Sequence, residues 1–213
     1  MIVDVLSESS ADEAAIRILV DAVLQLESQA PPGFPRMEFR RGFRGVLKVI
    51  PAVLKRAYYH TDADLLVVVL DSNGTPVTEG TSGEKRESRL YRIRQLFDET
   101  WKHIKKRNGR RPLQTTVGLA APALEAWLRC GIDDRVTEAA WIRDLKAGAS
   151  APRRIRELKQ AVYGTDKPSL DQETSRATEE ARRLAEDIGA LERSFPIGFG
   201  SLARDVRARK DPT

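Results

Sequence analysis

The chain reads as an α/β protein whose sheet is mostly parallel and whose last third is helical. Three observations predict this. Leu65 to Leu70 is an unbroken, valine-rich apolar run, short enough for a strand and too apolar for one with a solvated face. Up to Gly148 strand-like and helix-like segments alternate, as parallel strands joined by helical crossovers require. After Gly148 only helical periodicity remains. The expected organisation is an α/β domain over residues 1–148 with a helical extension over 149–213 packed on it.

Taken in order, Met1 to Leu6 predicts a short strand, followed by the loop Ser7-Glu8-Ser9-Ser10. Ser10 and Glu13 have capping-box spacing, and a helix is expected from Ala11 to about Glu27, with Ile16, Leu19, Val20, Val23 and Leu24 on one stripe. Pro31 to Pro35 breaks it. Met37 and Phe39 alternate with Arg36, Glu38 and Arg40, which fits a short strand over Arg36 to Arg41. A second helix is expected from Phe43 to about Tyr59, with Pro51 as a kink or a fresh helical start. The buried strand follows, then a loop rich in Gly, Ser and Thr through Gly83. Glu84 to about Arg107 predicts a charged helix with Leu90, Ile93, Leu96, Phe97, Trp101 and Ile104 inward. Thr115 to Ala120 predicts another strand, and Pro122 is expected at the first position of the next helix. The tail predicts helices over Arg153 to Val162 and Ser175 to Arg193, then a short last helix after Pro196 to Gly200.

Composition narrows the class without naming a function. Of the 213 residues, 41% are hydrophobic and 31% charged, which describes a soluble globular chain. No apolar stretch is long enough to span a bilayer, so no membrane partner is expected. The first residues lack a basic region and a cleavage site, so no signal peptide is expected, and Cys130 stands alone; a cytoplasmic location follows as the expectation. Cys130 lies in an apolar helical context and reads as a structural thiol, while His60 and His103 have no partner spacing for zinc. The net charge of +5 permits nucleic-acid binding, with basic clusters over Arg36 to Arg44, Lys102 to Arg111, Arg153 to Lys159 and the carboxyl end.

Parallel strands with right-handed crossovers bring their β→α loops to one edge of the sheet, where open α/β folds place ligands. Three loops carry oxygen donors there: Glu8 with Asp12 and Glu13 after the first strand, Asp71 and Asn73 after the buried strand, and Glu125 after Pro122. An acid with an Asp-x-Asn pair can share a hard divalent cation. Asp-x-Asn-Gly is equally ordinary turn chemistry, and Asp12 and Glu13 fit first-turn helix acids.

Glu8 within Leu6-Ser7-Glu8-Ser9 resembles the first acidic motif of TOPRIM domains, which occur in topoisomerases, primases and OLD-type nucleases, and Asp71-Ser72-Asn73 resembles their Asp-x-Asp motif. Pro122-Ala-Leu-Glu125-Ala-Trp127-Leu128 is similar to a signature of small bacterial TOPRIM-like proteins of the RloB type, found near restriction and antiphage loci. Lys159 to Ser169, and Phe195 to Arg207 with Phe199, Leu202 and Val206, are similar to the end of the same family. The resemblance spans nearly the whole chain in order. It implies a Rossmann-like TOPRIM fold and a Mg²⁺- or Mn²⁺-dependent nuclease. In it Glu8 is general base or metal-bridging acid, Asp71 the principal metal ligand, Asn73 a further ligand where the family shows an acid, and Glu125 a site residue. Arg40, Arg41 and Arg110 are the candidates for backbone phosphates. The competing expectation is a non-catalytic nucleic-acid- or partner-binding subunit working beside an ATPase, and a homodimer is left open. A small-molecule phosphate-transfer enzyme is a third reading, disfavoured by the lack of a phosphate-cradling glycine loop.

Overall fold

In the computed structural model, which describes residues 1–32, 42–77 and 88–209, the described residues form a three-stranded parallel sheet flanked by helices. The strands β1 (Val3–Leu6), β2 (Leu65–Asp71) and β3 (Gln114–Ala120) lie side by side in sequence order. The register pairs Val3 with Leu65 and Asp71 with Ala120. The strand expected over Arg36 to Arg41 lies outside the described residues, as do residues 78–83 of the loop through Gly83.

Every residue of β2 from Leu65 to Leu70 is buried, because both faces of the sheet are covered. Leu65, Val67 and Val69 join the apolar cluster on one face, while Leu66, Val68 and Leu70 join the cluster on the other. The second face is covered by α2 (Phe43–Tyr59) and α3 (Arg89–Lys102) through Val46, Ile50, Leu54, Ile93 and Phe97. The first is covered by α1 (Ser10–Leu24), which buries Ile16, Leu19, Val20, Val23 and Leu24. Each such fully buried Leu, Ile or Phe stabilises the fold by about 1.5–3 kcal/mol relative to exposure.

Beyond β3 the chain forms α4 (Leu124–Leu128), α5 (Glu138–Lys146), α6 (Ala151–Tyr163), α7 (Leu170–Glu186), α8 (Ile188–Ser194) and α9 (Phe199–Ala208). Leu158, Tyr163, Ala177, Leu184 and Phe199 share one apolar cluster with Val3 and Ile16, so the helical segment is continuous with the sheet's core. Phe199 meets Trp127 edge to face at 5.1 Å between centroids. Gly118 lets α9 lie close on β3: a Cβ there would come within 2.9 Å of Leu202 Cδ2.

Four local expectations are corrected. Ser9, not Ser10, caps α1, its hydroxyl accepting from the Asp12 amide at 3.1 Å. Pro122 does not open α4; it follows a cis peptide bond and Ala123 is the cap. The long tail helix begins five residues earlier than Ser175, at Leu170, because the Ser169 side chain caps it at the Gln172 amide. It also ends at Glu186, where the Asp187 carboxylate starts α8 by accepting from Ala190. The helix α5 had no strong periodic signal; Thr137 starts it by accepting from the Ala140 amide at 3.2 Å.

Candidate functional site

Asp71 is the last residue of the buried strand, so its side chain emerges at the carboxyl edge of the sheet. The loop after it is a tight turn: Thr75 N donates to Ser72 O at 2.9 Å, and Asn73 has φ 47°, a left-handed conformation that Asn tolerates. Ser72 N donates to Ala120 O at 2.6 Å and Asn73 N to Pro122 O at 2.8 Å, which ties this loop to the one after β3. That tie sets Asp71 beside the start of α4, where its Oδ1 accepts from Leu124 N at 2.9 Å.

Glu8 arrives from the loop after β1. Its Oε1 accepts from Asp71 N at 3.2 Å. Arg89, the first residue of α3, sits between these groups. Its Nη1 lies 3.5 Å from Glu8 Oε1 and donates to Asp71 O at 2.6 Å, and the guanidinium stacks 4.4 Å from the Phe43 ring centroid. With its amide oxygen turned toward Arg89, Asn73 accepts from the same guanidinium at 2.8 and 3.0 Å.

Glu125 enters from α4 and is 3% exposed. Its Oε1 meets Lys159 Nζ of α6 at 2.9 Å, and the same ammonium lies 3.5 Å from Glu173 Oε1 of α7. Asp12 on α1 faces this group, and the Tyr163 ring lies 5.6 Å below Lys159 Nζ. The Tyr163 hydroxyl is buried and has no hydrogen-bond partner of ordinary geometry.

Burial and mutual repulsion dominate the electrostatics. Burial raises Asp71 well above the usual carboxylate range, and Glu125, Glu8 and Asp12 raise it further. Asp12 is pushed up to about 8 by burial and by Glu125 and Glu173. Burial also raises Glu8, against the opposing pull of Arg89. Burial works against the Lys159 ammonium, but Glu125, Glu173 and Asp12 outweigh it and hold its pKa above the ordinary lysine value. Among the described residues, Glu8, Asp12, Asp71, Glu125 and Glu173 thus share this edge with Arg89 and Lys159 as the basic partners of these contacts.

The structure therefore brings Glu8, Asp71, Asn73 and Glu125 to one edge. It does not bring Arg110 there. The Arg110 guanidinium donates to Ala57 O, Tyr58 O and Ala63 O, just before β2 at the opposite edge of the sheet, so it is spent on the backbone. Arg40 and Arg41 lie outside the described residues. Among the described residues no three or more His, Cys, Asp or Glu side chains converge to hold a metal ion. The donors suit a hard cation in kind, being carboxylate and amide oxygens with negative charge in excess, but Arg89 stands among Glu8, Asp71 and Asn73.

Sequence reasoning assigned Asp12 to a helix turn, and it does sit in the first turn of α1 while also facing the acids. Lys159 and Tyr163 were legible only as part of a resemblance. Nothing in the sequence marked Arg89 or Glu173. Among the described residues no helix is long and apolar enough to cross a membrane. No known protein family, curated protein or solved structure matches the chain.

Proposed function

We propose that the chain is a TOPRIM-like protein that cleaves phosphodiesters in nucleic acid with the help of Mg²⁺ or Mn²⁺ at its acidic edge. The observation that carries this reading is crowding: among the described residues, five buried or half-buried carboxyl groups gather with two basic groups at the carboxyl end of a parallel sheet. A divalent cation relieves such an excess, and Asp71, Glu8 and Asn73 are the residues that would hold it. When bound, it supplies charge stabilisation for the oxygens of the reacting phosphate.

The protein's own groups have distinct tasks in this reading. Glu8, held by the Asp71 amide at 3.2 Å, would either bridge the cation or take the proton of the attacking water. The Leu124 amide fixes the Asp71 carboxylate at 2.9 Å, and Lys159 fixes Glu125 at the same distance. Tail helices thereby contribute to the edge they pack beside.

The test is cleavage of plasmid, single-stranded DNA and RNA with Mg²⁺ or Mn²⁺, beside Asp71→Ala and Glu8→Ala proteins. Metal-dependent cleavage lost in both variants supports the proposal; cleavage that survives both refutes this site. A second reading is a non-catalytic subunit that binds nucleic acid or an ATPase partner. Arg89 bonded to Asn73, where the family shows an acid, favours it. No cleavage of any substrate by the intact protein would select that reading.

A further inference from the structure

We infer that Arg89 is the resident cation of the Glu8–Asp71–Asn73 half of the edge and competes there with an external divalent cation. The inference rests on reading this edge as a cation site, but its test does not depend on cleavage.

Arg89 is seated rather than draped. Its side chain is 14% exposed, and its guanidinium engages the Glu8 carboxylate, the Asp71 carbonyl and the Asn73 amide, with the Phe43 ring on its flat face. A planar fork with several fixed donors suits a cluster of oxygens that a spherical ion would otherwise coordinate. Asn73 fits this arrangement. Its neutral oxygen accepts from Arg89 without adding a third charge, so the guanidinium remains the counter-ion of Glu8 and Asp71. The seat is also incomplete: Arg89 Nε is buried without a hydrogen-bond partner. A group left partly unsatisfied is easier to displace than a fully bonded one.

Without the guanidinium, Glu8 and Asp71 are half-buried acids that repel each other and Glu125, with no positive group between them among the described residues. A hard divalent cation is then the natural replacement. Lys159 stays with Glu125 and Glu173 in either case, so the change is confined to one half of the edge.

The experiment is calorimetric titration of Mn²⁺ into the full-length chain and into Arg89→Met, Arg89→Lys and the double variant Arg89→Met with Asp71→Asn, each checked for native circular dichroism. Arg89→Met is expected to bind Mn²⁺ about tenfold or more tighter than the unaltered protein, because a nearby like charge has gone. Arg89→Lys keeps the charge and stays near the unaltered value, and Asp71→Asn removes the gain. Equal affinity with and without Arg89, binding by neither protein, or a gain that survives Asp71→Asn overturns the inference. Should Arg89→Met fail to fold, Phe43→Leu loosens the guanidinium without removing it. A several-fold gain there supports the competition, and no gain refutes it. If Arg89→Met gains Mn²⁺ while no form cleaves nucleic acid, the resident-cation role stands and the nuclease reading falls.

Discussion

The two edges of the sheet carry buried charge in opposite ways. At the amino edge each charge named here has its partner: Arg110 serves Ala57, Tyr58 and Ala63 carbonyls, Asp64 Oδ2 accepts from Ile2 N at 2.8 Å, and Arg56 meets Asp4 at 3.0 Å. At the carboxyl edge acids outnumber bases among the described residues, and Asp71 and Asp12 are driven upward by burial and by neighbouring acids, Glu125 foremost. The first arrangement is architecture, in which charge is used to close strand and helix ends. The second is a cost that stability alone would remove, which is the physical reason to look for function there.

That contrast can be broken in a definite order of effect. Arg110→Ala leaves three carbonyls without their donor and is expected to destabilise the fold by about 2–4 kcal/mol, read as a lower urea midpoint. Asp71→Asn should act in the other direction. It keeps an acceptor for the Leu124 amide but removes a repelled buried charge, so unfolding free energy should rise by about 1–2 kcal/mol while cation binding is lost. A fall in stability comparable to that of Arg110→Ala would erase the contrast between the edges.

The pH dependence sharpens the same point. Asp12 has an ordinary value of 3.8 and is pushed up to about 8 in the folded protein, so the native state holds more protons than the unfolded one across that window. Stability should therefore fall as pH rises from about 4 to about 8, and Asp12→Asn should flatten the slope. Urea titrations at several pH values read this directly, and a slope unchanged by Asp12→Asn would contradict the assignment. The smallest effect belongs to the exposed α6 surface. Glu157→Gln, which breaks pairs with Arg153 at 2.9 Å and Arg154 at 3.6 Å, should change stability by less than about 0.5 kcal/mol.

Much of the frame was legible because local rules and tertiary packing agree there. Leu65 to Leu70 could bury both faces only as an inner strand, and Phe43–Tyr59 forms a helix with the bounds its apolar stripe suggests. Boundaries failed where one side chain decides them: Ser9 over Ser10, Ser169 six positions ahead of Ser175, and Asp187 inside an otherwise helical run. At the site, loop residues Glu8, Asp71 and Asn73 could be read because topology alone sends them to one edge. Arg89 and Glu173 could not, and Lys159 showed only as part of a basic run and a family-like motif, since all three reach that edge through the packing of α3, α6 and α7. Arg110 shows the converse error: a basic cluster in sequence said nothing of which edge its members face.

The proposed role of the carboxyl edge is to take a divalent cation among its crowded acids. Titration of Mn²⁺ into the full-length protein and into Asp71→Asn, followed by calorimetry, tests it most directly. The expected result is saturable binding to the unaltered protein that Asp71→Asn abolishes. Absence of saturable binding, or binding that Asp71→Asn leaves unchanged, would contradict it.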